Sequence, residues 1–323
     1  MGSEFELIRK YFTHPGQHTV LGVGDDAALM RLSPGRILAA SSDMLVAGRH
    51  FFPDTDPCRL GHKALAVNLS DLAAMGALPR WVLLSLALPR ADEAWVAAFA
   101  AGFADEARTY GVDWVGGDTT GGPLNLSVTI LGEVDAQRAL KRSGAVPGDT
   151  VWLSGTVGDA ALGLAALLGR YPLPEAARQG CVGRLERPTP RVALGQALAG
   201  LAHSAIDISD GLLADLGHLV RASGVGAELE YSALPLAPLL AERASEALVR
   251  EAILAGGDDY ELCFTAAMAD TEAVLAAARL TATPVAAIGV ITAGAGVRVR
   301  DSSGVFLSTR RTGFDHFSSQ GQQ

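Results

Sequence analysis

A carboxylate follows a short apolar run and one or two small residues at several separate places in this 323-residue chain. The pattern occurs in Gly22-Val23-Gly24-Asp25-Asp26, Ala39-Ala40-Ser41-Ser42-Asp43, Val115-Gly116-Gly117-Asp118, Ala205-Ile206-Asp207-Ile208-Ser209-Asp210 and Gly256-Gly257-Asp258-Asp259. For several of these segments the pattern predicts a strand end, where α/β proteins bind ligands on exposed backbone N–H groups. The recurrence indicates a fold of mixed helices and strands that carries an acidic site.

Any one of these segments alone is explained by ordinary turn or capping chemistry, in which Gly-Asp and Ser-Asp are frequent. Together with Asp71, in Asn68-Leu69-Ser70-Asp71, they make a set of carboxylates that would repel one another if they were close together in water. A hard divalent cation offsets such repulsion, and Mg²⁺ combines carboxylates, water and substrate phosphates. No His or Cys accompanies the carboxylates, which argues against zinc, and Thr119, Thr120 and Ser209 could add hydroxyl ligands.

The sequence lacks the familiar nucleotide-binding and hydrolase motifs. No GxxxxGK[ST] occurs, so the chain is not a P-loop protein, and neither GxSxG nor HExxH is found. Residues 22–27 formally fit the dinucleotide-binding pattern GxGxxG/A, but Pro34-Gly35 follows too soon for the helix that this pattern needs. Gly116 and Gly117 remain as positions where phosphate oxygens can approach the backbone.

Composition narrows the functional class. Hydrophobic residues make up 49% and charged residues 19% of the chain, which is enough apolar material for the cores of two domains. The net charge is −9 and only three of the 26 basic residues are lysine, so we expect no nucleic-acid partner, which would need a basic face. The three cysteines lie far apart without a CxxC pair, which argues against a disulfide framework or a cysteine zinc site.

The sequence also bears on location. Its N-terminus has neither the basic segment nor the apolar segment of a signal peptide, and its apolar runs are too short to span a bilayer. We therefore expect a cytoplasmic protein that has no membrane partner.

Hydrophobic periodicity predicts two domains of α/β (α+β) class, residues 1–137 and 138–323. In the first we expect helices at 4–12, 58–74 and 92–110, the last with Asp92 as its N-cap, and strands at 20–24, 27–32, 37–41, 81–88, 112–115 and 124–134. In the second we expect strands at 150–154, 204–208, 226–231, 260–264, 285–290 and 297–300, and helices at 159–168, 191–201, 211–223, 242–254 and 270–279.

Several blocks follow one another in a distinctive order. They are Gly24-Asp25-Asp26-Ala27, Ser42-Asp43, residues 63–76 around Asn68-Leu69-Ser70-Asp71, Gly116-Gly117-Asp118-Thr119-Thr120, Ser209-Asp210-Gly211-Leu212 and Tyr260-Glu261-Leu262. These blocks resemble the signature blocks of the thiamine-monophosphate kinase family, and the resemblance runs from Glu4 to Phe317. That family belongs to a superfamily with aminoimidazole ribonucleotide synthetase and selenophosphate synthetase. The resemblance implies an N-terminal α/β domain whose sheet pairs across a homodimer, and a C-terminal α+β domain.

The resemblance also implies roles for particular positions. The Mg²⁺ shell would comprise Asp26, Ser41, Ser42, Asp43, Asp71, Asp118, Asp207 and Asp210. ATP would meet Gly117, Asp118, Arg142 and Ser209, and thiamine monophosphate would meet His50, Asp258 and Phe314. The sequence departs from the family pattern at two of these positions. Asp258 stands where Glu is usual, which shortens the carboxylate side chain by one methylene, and Ser42 stands where Thr is common, which keeps the hydroxyl.

The activity that the resemblance implies is phosphorylation of thiamine monophosphate to thiamine diphosphate, the last step of thiamine diphosphate biosynthesis. ATP would be the co-substrate, and several Mg²⁺ ions would be bound. The attacking group is a phosphate oxygen that is already ionised near neutral pH, so we expect no catalytic general base. Two alternatives remain open: another ATP-dependent enzyme of the superfamily, such as an aminoimidazole ribonucleotide synthetase, and a catalytically silent nucleotide-binding subunit.

Overall fold

The computed structural model describes residues 4–308 and Gly313, and they fall into two compact units. The first unit comprises the described residues up to Leu72 together with Ala77–Ala136. The second comprises Ala73–Gly76 and the described residues from Gln137 onward. None of the helices in these described ranges has both the length and the apolar character needed to cross a membrane.

The first unit combines three helices and six strands in the described residues, and the last two residues of the second helix are assigned to the other unit. In chain order they are α1 (Glu4–Tyr11), β1 (Thr19–Leu21), β2 (Leu29–Met30), β3 (Ile37–Val46), α2 (Pro57–Ala74), β4 (Leu78–Leu88), α3 (Glu93–Thr109), β5 (Asp113–Gly121) and β6 (Asn125–Val134). The predicted N-cap is confirmed, because the Asp92 side chain accepts a hydrogen bond from the backbone N–H of Trp95 at 3.2 Å.

A four-stranded sheet in the order β3–β6–β4–β5 forms the centre of this unit. Neighbouring strands are antiparallel except β4 and β5, which are parallel. Parallel strands need a long crossover, and α3 supplies it. The helices pack on the sheet through apolar contacts: the rings of Phe103 and Trp114 lie 4.5 Å apart, and Leu72 lies against Gly132.

The edge strand β3 has two different faces. Leu45 is buried and Ser41 is half-buried on the face toward α2. Leu38, Met44 and Val46 point the other way and are 49%, 58% and 36% exposed. Successive side chains of a strand alternate between its faces, so these three residues make an apolar surface on the outer side of β3.

The second unit contains the remaining described elements. In chain order they are β7 (Thr150–Ser154), α4 (Asp159–Leu167), α5 (Glu175–Glu186), α6 (Val192–Leu198), β8 (Ser204–Asp207), α7 (Leu212–Ser223), β9 (Gly226–Glu230), α8 (Pro238–Glu242), α9 (Ala247–Ala255), β10 (Leu262–Ala266), α10 (Thr271–Leu280), β11 (Val285–Thr292) and β12 (Gly296–Arg300).

Its strands form one sheet in the order β12–β9–β11–β7–β10–β8. All neighbouring pairs are antiparallel except β12 and β9. Leu153, Ile206, Leu216, Ile253 and Ile288 are almost completely buried in the core that the strands and helices share. Both units therefore mix helices and strands, which confirms the predicted α/β (α+β) class.

The prediction that Asp43 and Asp118 follow strand ends is wrong. Strand β3 continues to Val46 and β5 continues to Gly121, so both carboxylates lie within strands. The cause for β3 is its partner β6, which pairs with it from end to end. Backbone pairing between distant strands extends both elements past the polar residues that suggested a turn.

Three further predictions differ from the structure. The strands expected at 20–24 and 27–32 are reduced to the short pair β1 and β2. The helix expected at 242–254 begins later, as α9 at Ala247, and the hydrogen bond from the Tyr231 hydroxyl to the Ala244 carbonyl, at 2.8 Å, holds the turn before it. Helix α5 was not predicted, because Gly180 and Gly183 weaken its local preference for helix, yet it packs closely on α4.

Helices α2 and α3 cross with almost no space between their backbones. A Cβ at Gly102 would lie 1.9 Å from the carbonyl oxygen of Cys58, and a Cβ at Gly61 would lie 2.1 Å from that of Phe99. Real Cβ atoms do not approach so closely, so any side chain at either position must push the helices apart. The two glycines are therefore required by packing.

We predict that Gly102→Ala destabilises the protein by about 1–3 kcal/mol or more, because overpacking forces the backbones apart. Gly180→Ala is the matched control, since Gly180 is exposed in α5 and a Cβ there would meet nothing within 4 Å. The control should raise stability by up to about 1 kcal/mol, as Ala favours helix over Gly. Urea and thermal unfolding of both variants measure the difference, and equal stabilities would contradict the packing argument.

Candidate active site

Three of the predicted metal ligands lie together on the α2 side of β3. The Ser41 hydroxyl donates to Oδ2 of Asp71 at 2.5 Å, which ties the strand to the last turns of α2. One turn earlier, Oδ1 of Asn68 accepts a hydrogen bond from the Asp43 backbone N–H at 3.1 Å. Asn68 is itself oriented by donating from Nδ2 to the Ala64 carbonyl at 3.0 Å. The block around Asn68 and Asp71 thus holds β3 by direct hydrogen bonds.

Ser42 points away from this group. Strand alternation puts it on the opposite face from Ser41 and Asp43. Its hydroxyl lies 3.0 Å from the Val128 carbonyl and 3.0 Å from the Thr129 hydroxyl, both on β6. The resemblance implied that these neighbouring residues share one ligand set, whereas the strand places the side chain of Ser42 on the other face.

Asp26 is exposed on the loop between β1 and β2, and a buried carboxylate anchors the start of that region. Asp113 accepts the backbone N–H of Gln17 at 2.8 Å, that of His18 at 2.6 Å and the Thr19 hydroxyl at 2.6 Å. Burial by itself would raise the pKa of Asp113. These hydrogen bonds lower it by more, so the pKa lies below its ordinary value.

A second buried carboxylate anchors the far end of the same region. Glu133 accepts the backbone N–H of Ser33 at 2.6 Å, the Ser33 hydroxyl at 2.9 Å and Nε of Arg80 at 3.1 Å. Burial raises the pKa of Glu133, but the bonds from Ser33 and Arg80 bring it below the ordinary value. The residues on either side of Asp26 are therefore held in place by side chains from the central sheet.

Gly117 and Asp118 lie in β5 just after an irregular pairing with β4. Gly117 has a φ of +150°, and a Cβ there would lie 1.7 Å from the Leu84 carbonyl oxygen, so this position requires glycine. Asp118 is opposite Ser85 and is exposed. His50 follows β3, and its Nδ1 accepts the Val46 backbone N–H at 3.0 Å.

In the second unit, Asp207 ends β8, and the turn that follows is organised by a residue not singled out from the sequence. A single oxygen of Asp215, Oδ2, accepts the backbone N–H groups of Ser209, Asp210 and Gly211, each at 3.0 Å. Burial, together with the charge of Asp210, raises the pKa of Asp215 to about 7 despite these bonds. Its signal in the sequence was an acidic residue in the first turn of α7, four residues after Gly211.

The charges of Arg142 and Asp210 both act on the pKa of His218 in this unit. Burial lowers the pKa of His218, the positive charges of Arg221 and Arg142 lower it further, and Asp210 opposes them. The Arg142 carbonyl also accepts the Ser223 hydroxyl at 3.2 Å. The sequence did not indicate His218, whose pKa responds both to the predicted ATP contact Arg142 and to the predicted metal ligand Asp210.

Asp258 lies beside the same turn. Its backbone N–H donates to the Ser209 carbonyl at 2.9 Å, and the Tyr260 hydroxyl donates to its Oδ1 at 3.1 Å. Asp258 and Tyr260 have φ values of +67° and +51°, which cost residues other than glycine roughly 1–3 kcal/mol each. Strained residues of this kind cluster at functional sites. Phe314, the third residue predicted to contact the substrate, lies outside the described residues.

The side chains described above offer oxygen atoms as ligands for a metal ion. Across residues 4–308, no three His, Cys, Asp or Glu side chains form a group that could hold a metal ion by themselves. The arrangement instead offers serine hydroxyls and single carboxylates in each unit, such as Ser41 with Asp71 and Ser209 near Asp210. Such a donor set suits a cation that keeps several waters and also binds a phosphorylated ligand.

Comparison with known proteins gives a consistent result over nearly the whole chain. Residues 24–134 match the family described as AIR synthase related protein, N-terminal domain, and residues 146–302 match AIR synthase related protein, C-terminal domain. The chain is 45% identical over 321 residues to the thiamine-monophosphate kinase of Escherichia coli (strain K12), and the match covers 98% of each protein.

Solved structures agree with the sequence comparison. The thiamine-monophosphate kinase of Stenotrophomonas maltophilia K279a matches with a TM-score of 0.83 and 45% identity, over 88% of this chain and 91% of that one. AaThiL complexed with AMPPCP and TMP matches with a TM-score of 0.76 and 32% identity, over 89% of each chain.

The role of Asp215 is testable by removing its oxygen. We predict that Asp215→Ala destabilises the protein by roughly 1–3 kcal/mol, because three buried or half-buried N–H groups lose their acceptor. Asp215→Asn is the control, as its amide oxygen can accept the same bonds and its neutrality suits a buried position. Urea unfolding and amide hydrogen exchange at residues 209–211 report the effect. Protection that is equal in the two variants would contradict the assignment.

Proposed function

The chain belongs to the thiamine-monophosphate kinases of the AIR synthase related family, and we propose that it passes the γ-phosphate of ATP directly to thiamine monophosphate with Mg²⁺ as its metal. The likeness to a thiamine-monophosphate kinase over almost the full length of both proteins carries the assignment of the activity. A relative solved with AMPPCP and TMP supports ATP and thiamine monophosphate as ligands. The alternatives left open by the sequence are not favoured. Because ATP is the co-substrate, we place the reaction in the cytoplasm.

Mg²⁺ fits the residues present, since the donors are all oxygen. In the first unit we propose Asp26, Ser41, Ser42, Asp43, Asp71 and Asp118 as ligands, and in the second Asp207 and Asp210. The contact between Ser41 and Asp71 supports the pairing of those two. Ser42 is kept in this set because the resemblance implies it, although its hydroxyl faces β6. When bound, the cations offset the repulsion between two polyanions, which is about 1 kcal/mol per charge pair at 4 Å even in water.

For ATP, we propose contacts with Gly117, Asp118, Arg142 and Ser209. The absence of a side chain at Gly117, which the Leu84 carbonyl enforces, leaves room for a phosphate oxygen at the strand. Arg142 supplies a planar cation that suits phosphate oxygens. Asp118 contributes charge for a cation and would repel phosphate by itself, so nucleotide binding should depend on the metal.

For the acceptor, we propose contacts with His50, Asp258 and Phe314. Nδ1 of His50 accepts a backbone N–H, so the neutral ring carries its proton on Nε2, where it can donate to a phosphate oxygen. Asp258 is a carboxylate that can balance the thiazolium cation, and the Tyr260 hydroxyl orients it. The aromatic face of Phe314 suits the same cation at about 0.5–2 kcal/mol.

No general base is required in this mechanism. The second pKa of a phosphate monoester is about 6, so the attacking oxygen of thiamine monophosphate is ionised at neutral pH. The protein then has to bring two anions together, orient them in line and exclude water. We propose direct transfer without a phosphoenzyme.

We predict that the protein converts ATP to ADP with thiamine monophosphate and not with thiamine. Free thiamine offers a neutral hydroxyl, which the site has no base to activate. Coupled ADP release, with detection of thiamine diphosphate, measures both acceptors and the background without acceptor. Efficient turnover of thiamine would contradict the mechanism. If neither thiamine monophosphate nor thiamine is turned over, the assignment of the activity is wrong.

We predict that Asp43→Asn and Asp71→Asn each lower kcat at least roughly a hundredfold, because each loses charge that stabilises the transition state. Both variants should fold, since the amide introduced by Asp71→Asn still has an oxygen that accepts the Ser41 hydroxyl. The matched control is Asp105→Asn, an exposed residue of α3 paired with Arg108. If Asp43→Asn or Asp71→Asn keeps the activity of the control at saturating Mg²⁺, that residue is not a ligand.

We also propose a homodimer formed through the first unit. The outer face of β3 exposes Leu38, Met44 and Val46, an apolar surface that a second copy would cover.

We predict that the protein sediments as a dimer at micromolar concentration and that Leu38→Glu weakens the dimer at least tenfold. Leu280→Glu in α10, where Leu280 is 83% exposed, is the control and should leave it intact. A monomeric wild-type protein would overturn the proposal.

A further inference from the structure

Glu261 is fully buried in the second unit, yet the proposed function gives it no task. It lies in the block Tyr260-Glu261-Leu262, directly before β10. Two arginines bind its carboxylate: Arg184 donates from one guanidinium nitrogen at 2.7 Å, and Arg191 donates from two nitrogens at 2.5 and 2.6 Å. The Ser154 hydroxyl adds a bond at 2.6 Å.

A buried ion pair of this kind is a poor source of stability, because the cost of removing charges from water offsets most of their attraction. Apolar side chains of similar volume would serve a core as well. Two cations on one buried carboxylate therefore call for an explanation in terms of what the group holds in place. The geometry around the residues before Glu261 provides it.

Glu261 and its two arginines hold the backbone of the residues that precede Glu261 in the chain. Arg184 donates from the same nitrogen to the carbonyl of Asp259 at 3.1 Å, so it bridges that carbonyl and the Glu261 carboxylate. The backbone N–H of Gly158 donates to Oδ2 of Asp259 at 2.9 Å. Asp259 lies between Asp258 and Tyr260, the two residues with left-handed backbone conformations.

The same segment is paired with the turn that carries the proposed ATP and metal contacts. The Glu261 carbonyl accepts the Ile208 N–H at 2.8 Å, and the Ile208 carbonyl accepts the Tyr260 N–H at 2.8 Å. The Ser209 carbonyl then accepts the Asp258 N–H at 2.9 Å. Ser209 has its own anchor in Asp215, which accepts the Ser209 N–H at 3.0 Å, so the turn is held in place independently of segment 258–260.

There is no room for the carboxylate to move. A Cβ at Gly155 would lie 2.0 Å from Oε1 of Glu261, so the carboxylate sits directly against the backbone that follows β7. Burial raises the pKa of the neighbouring Asp259 well above its ordinary value. The side chains of both arginines bind the Glu261 carboxylate. The charges and the close contact together fix the carboxylate in one position.

We propose that Glu261, Arg184 and Arg191 are positioning residues for the acceptor substrate: they hold the strained segment 258–260 so that the Asp258 carboxylate meets the thiamine portion of thiamine monophosphate. This inference rests on the proposed function, in which Asp258 contacts the acceptor. The three side chains themselves act through the backbone. Their effect should fall on the acceptor first and on ATP little.

Arg184→Met is the decisive variant. It removes the bond to the Asp259 carbonyl but leaves Glu261 with Arg191, a balanced pair, so the protein should fold. We expect the KM for thiamine monophosphate to rise about tenfold or more while the KM for ATP stays within about twofold. Arg184→Lys keeps the positive charge and one donor nitrogen, so it should recover part of the loss. Arg178→Met on the same helix, α5, is the matched control and should change neither constant.

Glu261→Gln tests the carboxylate itself, with the melting temperature measured alongside because two half-buried guanidinium groups lose the charge of their partner. A raised KM for the acceptor at a modestly lowered melting temperature supports the proposal. If Arg184→Met lowers the melting temperature and leaves both KM values as they were, the group is only structural and the proposal is overturned. An equal rise in both KM values also overturns it.

Hydrogen exchange separates this inference from the proposed function, because it needs no substrate. In Arg184→Met the amides of residues 258–260 should exchange at least about tenfold faster than in Arg178→Met, while the amides of β10 remain protected. Unchanged exchange at 258–260 overturns the positioning role whatever the activity. Faster exchange in a protein that does not turn over thiamine monophosphate would show that Arg184 holds segment 258–260. It would also overturn the link between that segment and the acceptor.

Discussion

The loops of this protein depend on buried carboxylates that accept hydrogen bonds from the backbone. Asp113 and Glu133 hold the chain on either side of Asp26, and Asp215 gathers three consecutive N–H groups after β8. A backbone N–H that is removed from water needs an acceptor, and in an irregular segment no neighbouring strand supplies one. A carboxylate supplies two oxygens at once and can therefore set the shape of a whole turn. Among the proposed ligands, Asp26, Ser209 and Asp210 lie in segments held in this way.

Electrostatic cost limits how such a protein can be built. Of the carboxylates proposed for a cation, Asp118 and Asp26 are exposed and Asp207 is buried, whereas Asp113 and Glu133 are buried and accept hydrogen bonds that hold the fold. The pKa values of Asp113 and Glu133 are lowered by their bonds, while burial raises those of Asp215 and Asp259. The buried acidic residues thus differ in the direction in which their surroundings shift the pKa.

Much of the fold follows from local patterns. Apolar periodicity predicted the mixed class, most helices and the Asp92 cap, because these depend on residues within a few positions of one another. The blocks around Asp71, Ser209 and Asp258 identified segments that carry the candidate site. The anchors escaped notice because their partners are remote: Asp113 binds Gln17, and Glu133 binds Ser33, about a hundred residues away in each case. Strand lengths were missed for the same reason, since β6 extends β3 through pairing that no local pattern shows.

The way Asp215 is used has a consequence for small anions. The first N–H groups of a helix are a common place for sulfate or inorganic phosphate to bind, because they lack partners within the helix. At the start of α7 the donors of Ser209, Asp210 and Gly211 are already taken by a side chain of the same helix. A free anion arriving there would gain no hydrogen bond from these groups and would face the charge of Asp210. This helix terminus is therefore closed to anions that arrive without a cation, and millimolar phosphate in the surroundings would not compete for it.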